Sequence, residues 1–309
     1  MAVRVLVVGS INMDLIVRCP RLPGAGETLA GDDFATAPGG KGANQAVACS
    51  RLGARTAMIA GVGGDEFGQR LRRGLQEEDV DVTHVRVDGE ASTGVALILL
   101  ERTGDNRIVV VLGANARLGD EEVATASQAL AESDVLLMPL EVPLPVAKAV
   151  AAAARERAVL CVLDAGAATP TAVDIGLPGL VDVLSPNEAE AEILTGIPIK
   201  GRDDARRAAD RLRDMGAKDV VVKLGRDGAY WSGPQGEAHV PAFRIDPVDT
   251  TAAGDAFTSC LAVSLAEGYG MVDAIRRANA AGALACLTLG AQPSMPTAGA
   301  LEQFLRERI

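Results

Sequence analysis

A chain of 309 residues with a formal net charge of −11 has no broad positive field for nucleic acid or for an anionic membrane surface, so neither is expected as a partner. Hydrophobic residues make up 48% of it and aromatics only 3%, which predicts an aliphatic, alanine-rich core, as in sheets covered by helices with small side chains. The length fits one large domain spanning residues 1–309, with room for a small insertion.

Residues 3–9 form a continuous apolar run ending in glycine, read as a buried strand. Residues 1–15 have no basic leader, so no signal peptide is expected, nor is any apolar stretch long enough to span a bilayer. Strand-like runs recur at 56–60, 135–138, 159–163, 181–184 and 220–224. Helical patterns lie between them at 42–52, 66–78, 120–132, 145–157, 188–195 and 203–215. This alternation predicts an α/β fold, with a mainly parallel central sheet and helices on both faces. Beyond Ile245 the pattern is helical, at 253–267, 271–286 and 298–308.

One segment breaks the alternation. Residues 93–100 and 107–112 read as two strands joined by Thr103, Gly104, Asp105 and Asn106, a hairpin. A short run at 15–19 has the same character. The hairpin is either an edge of the main sheet or a small β lid formed from about 12–19 and 93–112. The lid is favoured, because 94–100 is apolar at nearly every position and needs cover on both faces. The same exposed apolar sheet predicts a symmetric homodimer.

Five scattered cysteines (Cys19, Cys49, Cys161, Cys260 and Cys286) include no CxxC pair, which fits a reducing cytoplasm and excludes the common zinc spacings. Two histidines, His84 and His239, read as surface residues, so a general base is expected to be a carboxylate. The run Gly61-Val62-Gly63-Gly64-Asp65-Glu66 resembles a dinucleotide fingerprint but ends in glutamate, so a nicotinamide oxidoreductase is weakly supported. Gly40-Lys41 is followed by no Ser or Thr, and is not a Walker A loop.

The informative segment is Asp249-Thr250-Thr251-Ala252-Ala253-Gly254-Asp255. Small residues lead into an apolar helix, so N–H groups near Ala252, Ala253 and Gly254 should face an anion, with Asp255 beside it. The other reading is a carboxylate that merely complements the helix dipole.

Asp249 to Asp255 resembles the C-terminal signature of the ribokinase-like carbohydrate kinases. Ala37-Pro38-Gly39-Gly40-Lys41-Gly42-Ala43-Asn44 resembles their N-terminal one. Ser10-Ile11-Asn12-Met13-Asp14, Pro186-Asn187-Glu188-Ala189-Glu190, Leu224-Gly225-Arg226-Asp227-Gly228 and Gly290-Ala291-Gln292-Pro293-Ser294-Met295-Pro296 follow the family order, over essentially the whole chain. The resemblance implies a cytoplasmic, homodimeric kinase that transfers phosphate from ATP to D-ribose. The base would be Asp255, and Ala252, Ala253 and Gly254 the anion hole.

By the same resemblance the sugar would meet Asn12, Met13, Asp14, Gly40, Lys41, Gly42, Ala43, Asn44, Glu141 and Asp255. The nucleotide would meet Asn187, Lys223, Leu224, Gly225, Arg226, Asp227, Gly228, Gly254, Asp255 and Asn279. Asn187 and Glu190, three apart and so on one helix face, would organise Mg²⁺ through water. A K⁺ activator would be held by side chains of Asp249 and Ser294 and carbonyls of Thr251, Ala285, Thr288 and Gly290. One departure is Asp164-Ala165-Gly166, where the family's ribose kinases usually carry Asn-Pro-Ala-Pro; it should alter a nearby loop and touch no catalytic position. Rival readings are a kinase for fructose, a ketodeoxy sugar acid, deoxyribose or a nucleoside, and a sugar-binding regulator without catalysis.

Overall fold

The computed structural model describes residues 2–103 and 105–308; Gly104, which falls in the expected hairpin turn, lies outside the described residues. Strand β1 (Arg4–Val8) leads to β2 (Asn12–Cys19), β3 (Asp33–Gly39), helix α1 (Lys41–Arg51), β4 (Arg55–Gly63), α2 (Glu66–Glu77), β5 (Val80–Asp81), β6 (Val85–Asp88), β7 (Gly94–Glu101) and β8 (Asn106–Val111). Next come α3 (Asp120–Ala129), β9 (Val135–Pro139), α4 (Leu144–Glu156), β10 (Leu160–Asp164), α5 (Pro170–Asp174), β11 (Val183–Ser185), α6 (Glu188–Thr195), α7 (Arg202–Asp214) and β12 (Asp219–Lys223). The chain ends through β13 (Ala229–Gly233), β14 (Gly236–Val240), α8 (Ala253–Ala266), α9 (Met271–Ala285), α10 (Ala291–Ser294) and α11 (Ala298–Arg306).

A 10-stranded sheet in the order β14-β13-β12-β11-β10-β9-β1-β4-β5, with β6 also on β4, forms the frame. It is parallel from β12 to β5 and antiparallel through β13 and β14. Side chains alternate across it. Val5 and Val7 of β1 and Val135 and Leu137 of β9 face one core with Ala46 and Val47 of α1 and Ala256 and Leu261 of α8. Leu6, Val8, Leu136 and Met138 face the other, under Val146 and Ala147 of α4 and Ala208 and Leu212 of α7. Alanines facing the strands let these helices lie close without aromatic side chains.

The break in the alternation is a separate four-stranded sheet, in the order β3-β2-β7-β8. It includes β3, which the sequence reading left out. Strands β5, β6, β13 and β14 were also unread: β5 and β6 are short, β14 is half-exposed, and β13, though buried, has no long apolar run. All six residues of β8 are exposed, including Ile108 at 52% and Val109 at 62%. The glycine run at 61–66 has a structural explanation. A Cβ on Gly63 would press on Ala91 O at 2.7 Å, and Asp65 caps α2 through Gly68 N at 2.9 Å and receives Thr93 N at 2.7 Å. Among the described residues no helix is long and apolar enough to cross a membrane.

Candidate active site

The parallel strands end on one edge of the sheet. From β1 the chain continues the sheet to one side through β4 and to the other through β9, so the β1/β9 boundary is a switch point, where such sheets open a crevice. Ser10, just after β1, and Glu141, just after β9, meet there: the Ser10 hydroxyl donates to the Glu141 carboxylate. Glu141 also accepts from Lys41 N at 3.1 Å, tying the start of α1 to the crevice. Gly40 makes that start possible. Its φ is 89°, and a Cβ there would lie 2.7 Å from Asn12 N.

Asp255 sits in the first turn of α8 and is only 3% exposed. Its carboxylate accepts from Asn44 Nδ2 at 3.0 Å and Gln45 Nε2 at 3.1 Å, and Lys41 Nζ lies 3.8 Å away. Burial raises its pKa, with Asp164 adding to the rise, and Lys41 and the two amides opposing it. Lys41 is raised in turn, by Asp255 first. Asn44 Oδ1 and Gln45 Oε1 are buried with no partner among the described residues. Such acceptors are costly unless something fills them.

The turn before α8 is strained. Ala252 has φ 59°, the left-handed region, which non-glycine residues rarely adopt outside functional turns. Ala253 N closes onto Thr250 O at 3.3 Å, so the three-amide hole expected from sequence is reduced. Among the described residues Ala252 N and Gly254 N have no recorded acceptor, and they remain open to an anion.

On the sugar side Asn12 and Asp14 share one face of β2, and Met13 takes the other. The Met13 side chain is fully buried in the core, which leaves its backbone for the expected contact with sugar. Ala43 is also a core residue, and a Cβ on Gly42 would stand 2.6 Å from Gly9 C; both serve the packing of α1 on β1. Asp14 lies against Gly39, and burial, then Glu141, raise its pKa from 3.8 to about 7. Asn12 Oδ1 accepts from Asn115 Nδ2 at 2.9 Å. Asn115 also receives Ile11 N at 3.0 Å and donates to Leu112 O at 2.9 Å, stapling the second sheet to the end of β1.

On the nucleotide side the loop after β12 turns through Gly225 and Gly228, with φ 52° and 95°, and Arg226 and Asp227 are exposed. The Leu224 side chain packs in the core, which leaves its backbone for the loop. Asn279 donates to Val240 O at 3.1 Å and Pro241 O at 3.2 Å, so its amide N–H groups brace the exit of β14. His239, expected at the surface, is half-buried, with Nε2 2.7 Å from Asp227 O; His84 is exposed.

Asn187 and Glu190 do not share a helix face as free ligands. Asn187 is the N-cap of α6 and Glu190 its third residue, in a capping box: Asn187 N and Nδ2 donate to Glu190 at 2.8 and 2.9 Å. Burial raises the Glu190 pKa against the pull of Lys223. Each Glu190 oxygen thus accepts one protein donor and keeps a lone pair, which fits a divalent cation reached through water.

The expected monovalent-cation loops do meet. Asp249 accepts from Thr251 N at 2.9 Å, Thr251 Oγ1 at 2.7 Å and Gly290 N at 2.8 Å. These donors outweigh burial and hold its pKa low. Ser294 Oγ donates to Ala291 O at 2.7 Å and keeps its lone pairs. Among the described residues the carbonyls of Thr251, Thr288 and Gly290 accept no backbone donor, whereas Ala285 O takes Thr288 N at 3.3 Å. An oxygen-only set with one carboxylate fits a large monovalent ion.

The departure at Asp164 bears on the site after all. Asp164 is fully buried at the end of β10, and Lys223 Nζ donates to it at 2.7 Å. Gly166 leaves the space that the Lys41 side chain fills. Asp164, Gln45, Asn115 and Thr258 are the residues the sequence reading missed. A charged residue closing an apolar strand, as Asp164 and Lys223 both do, is the signal that was available.

The pfkB family carbohydrate kinases match over residues 3–298. A ribokinase of Haemophilus influenzae is 38% identical over 299 residues, 97% of each chain. A deoxyribokinase of Salmonella typhi is 34% identical over 300 residues, again 97% of each. The structure of Arabidopsis thaliana ribokinase complexed with ribose and ATP superposes with a TM-score of 0.90 at 32% identity, covering 99% of both chains. With Asp255 and the open amides at one helix start, and with matches that run nearly end to end, the chain belongs to the pfkB family of carbohydrate kinases.

Proposed function

We propose that the chain transfers the terminal phosphoryl group of ATP to the 5-hydroxyl of D-ribose. The observation that carries this reading is the buried Asp255 carboxylate, aimed by Asn44 and Gln45 beside the open Ala252 and Gly254 amides. As the sugar oxygen forms its bond to phosphorus, the bond to the bridging oxygen of ADP breaks and the hydroxyl proton passes to Asp255. A carboxylate is too weak to ionise a sugar hydroxyl beforehand, and the raised pKa of Asp255 brings it closer to the task. The open amides meet the negative charge on the moving phosphoryl group.

Vicinal hydroxyls need paired donors and acceptors. Asn12, Asp14, Glu141, Lys41 and the orphaned Asn44 Oδ1 supply them. Gly225 and Gly228 let the backbone approach the nucleotide closely. Asn187 and Glu190 would hold Mg²⁺ through water, and the ion would offset phosphate charge. Asp249, Ser294 and the carbonyls of Thr251, Thr288 and Gly290 would hold K⁺, which would brace the loop presenting the Ala252 amide. The second sheet acts as a lid over the sugar, and its apolar edge β8 joins two copies in a homodimer. Five free cysteines, four of them buried, fit a reducing cytoplasm.

A relative named for deoxyribose makes 2-deoxyribose the specific competitor. A coupled assay of ADP release should rank kcat/KM highest for ribose among ribose, 2-deoxyribose, fructose and adenosine. A higher value for any of the others would replace the sugar in this reading.

A further inference from the structure

Beside the start of α8 lies an ion pair; the family resemblance sets Lys223 against the nucleotide without saying which phosphate it meets, and gives its partner Asp164 no task. Asp164 closes β10, Lys223 closes β12, and β11 runs between them; Lys223 is 9% exposed and Asp164 fully buried. Lys223 Nζ donates to Asp164 Oδ2 at 2.7 Å and to Thr258 Oγ1 at 3.3 Å. Thr258 Oγ1 stands 2.7 Å from the same carboxylate oxygen, and Gly166 N donates to the other at 3.0 Å. The carboxylate is therefore held by three donors.

The ammonium is not saturated in the same way. It carries three N–H bonds, and two acceptors are recorded among the described residues. Its nitrogen lies 3.9 Å from the point that a Cβ on Gly254 would occupy, alongside the first turn of α8. A buried ion pair is poor value as a purely stabilising device, because apolar residues of the same volume do as well. Here one partner is locked and the other keeps a donor next to the open amides.

We propose that Lys223 gives its remaining N–H to the phosphoryl group passing over the start of α8, and that Asp164, with Thr258, is the positioning residue that aims it. The assignment rests on the kinase reading above and deepens it. A charge-assisted donor in a water-poor site is stronger than the neutral amides beside it, and a fixed carboxylate holds the ammonium in one orientation. Burial alone would push Asp164 up, yet Lys223, Lys41 and the hydrogen bonds hold it low.

The test removes both charges together, as Lys223→Met with Asp164→Asn, so that no unpaired ion is left buried; a thermal melt checks folding. Calorimetry with Mg²⁺ then compares ADP with the β,γ-imido analogue of ATP, which keeps the terminal phosphate. The double variant should lose about tenfold or more of the preference for the analogue, the worth of one charge-assisted hydrogen bond. Its affinity for ADP and its ribose KM should stay at the parent's values, while kcat falls. Asp164→Asn alone keeps the ammonium, so it should lower kcat and preserve the analogue preference. A double variant with the parent's preference and kcat would overturn the role of Lys223, and an unchanged kcat in Asp164→Asn that of Asp164. If the parent itself prefers the analogue over ADP but phosphorylates no sugar, the kinase reading fails and the phosphate contact stands.

Discussion

Asp14 is an acid in surroundings that oppose its charge. Its pKa rises from 3.8 to about 7, by burial first and then by the Glu141 carboxylate. The folded chain thus binds that proton more tightly than the unfolded chain. The stability this confers is complete below the unfolded value, declines as pH climbs, and is lost above about 7. At about 1.4 kcal/mol per unit the shift corresponds to roughly 4 kcal/mol. Asp14 is only half-buried, and solvent screening reduces the expected effect to about 1–2 kcal/mol. Asp14→Asn removes the cost, so it should melt about 2–4 °C above the parent near pH 8.5, with the gap narrowing toward about pH 5.

The same substitution should damage sugar binding, because one amide oxygen cannot replace two charged acceptors. The ribose KM should rise about 10–100-fold with the ATP KM unchanged. In the parent, protonating Asp14 has a similar effect, so its ribose KM should climb as pH falls below about 7, and that of the variant should stay flat. Differential scanning calorimetry and initial rates at several pH values give both readouts. A melting gap independent of pH would refute the buried-charge argument. A variant with the parent's ribose KM would refute the assignment of Asp14 to the sugar.

Asp255→Asn should lower kcat by about 10²–10⁴-fold, the usual worth of a positioned base, with ribose and ATP still bound in calorimetry; a variant turning over at close to the parent's rate would remove Asp255 from that role. Replacing Na⁺ with K⁺ at constant ionic strength should raise turnover several-fold in the parent and not in Asp249→Ala, and equal rates in the two salts would dismiss the cation loop. Val109→Asp on the exposed β8 edge should turn a dimer into a monomer in light scattering, and a parent already monomeric would dismiss the interface.

How much of this was readable follows from burial. Strands β1, β9, β10 and β12 are covered on both faces, so they appear in the sequence as unbroken apolar runs. Helix α6 was placed at its observed bounds, since its capping box and the glycine after it leave local marks. Strand β3 escaped because Asp33-Phe34-Ala35-Thr36-Ala37-Pro38-Gly39 is an edge strand with three exposed and three half-exposed residues and no apolar run. Its place is set by pairing with β2, which is not a local property. Hairpin β13–β14 was lost for a related reason, its outer strand being only partly buried.

The site divides along a similar line. Residues inside ordered motifs, such as Asp255, Asn44 and Gly40, were found because the motif is contiguous. Gln45 meets Asp255 across 210 positions, and Asn115 meets Ile11 across 104, so nothing local marks them as partners. Asp164 was visible as an acid closing an apolar strand, but only the neighbouring strand ends show that Lys223 closes another such strand nearby.

The charge of the whole chain also misleads when taken alone. A net charge of −11 is spread over a surface where interactions fade within a Debye length of about 8 Å. Lys41 and Lys223 are set among Asp255, Asp164 and Glu190 in a poorly solvated crevice, where screening is weak and Asp255 and Asp164 pair with the two lysines. In the proposed nucleotide site Asp164 therefore serves a polyphosphate indirectly, by fixing where the Lys223 ammonium points. An acidic protein can hold ATP in this way without any positive patch, provided that its few buried cations are paired on one side and open on the other.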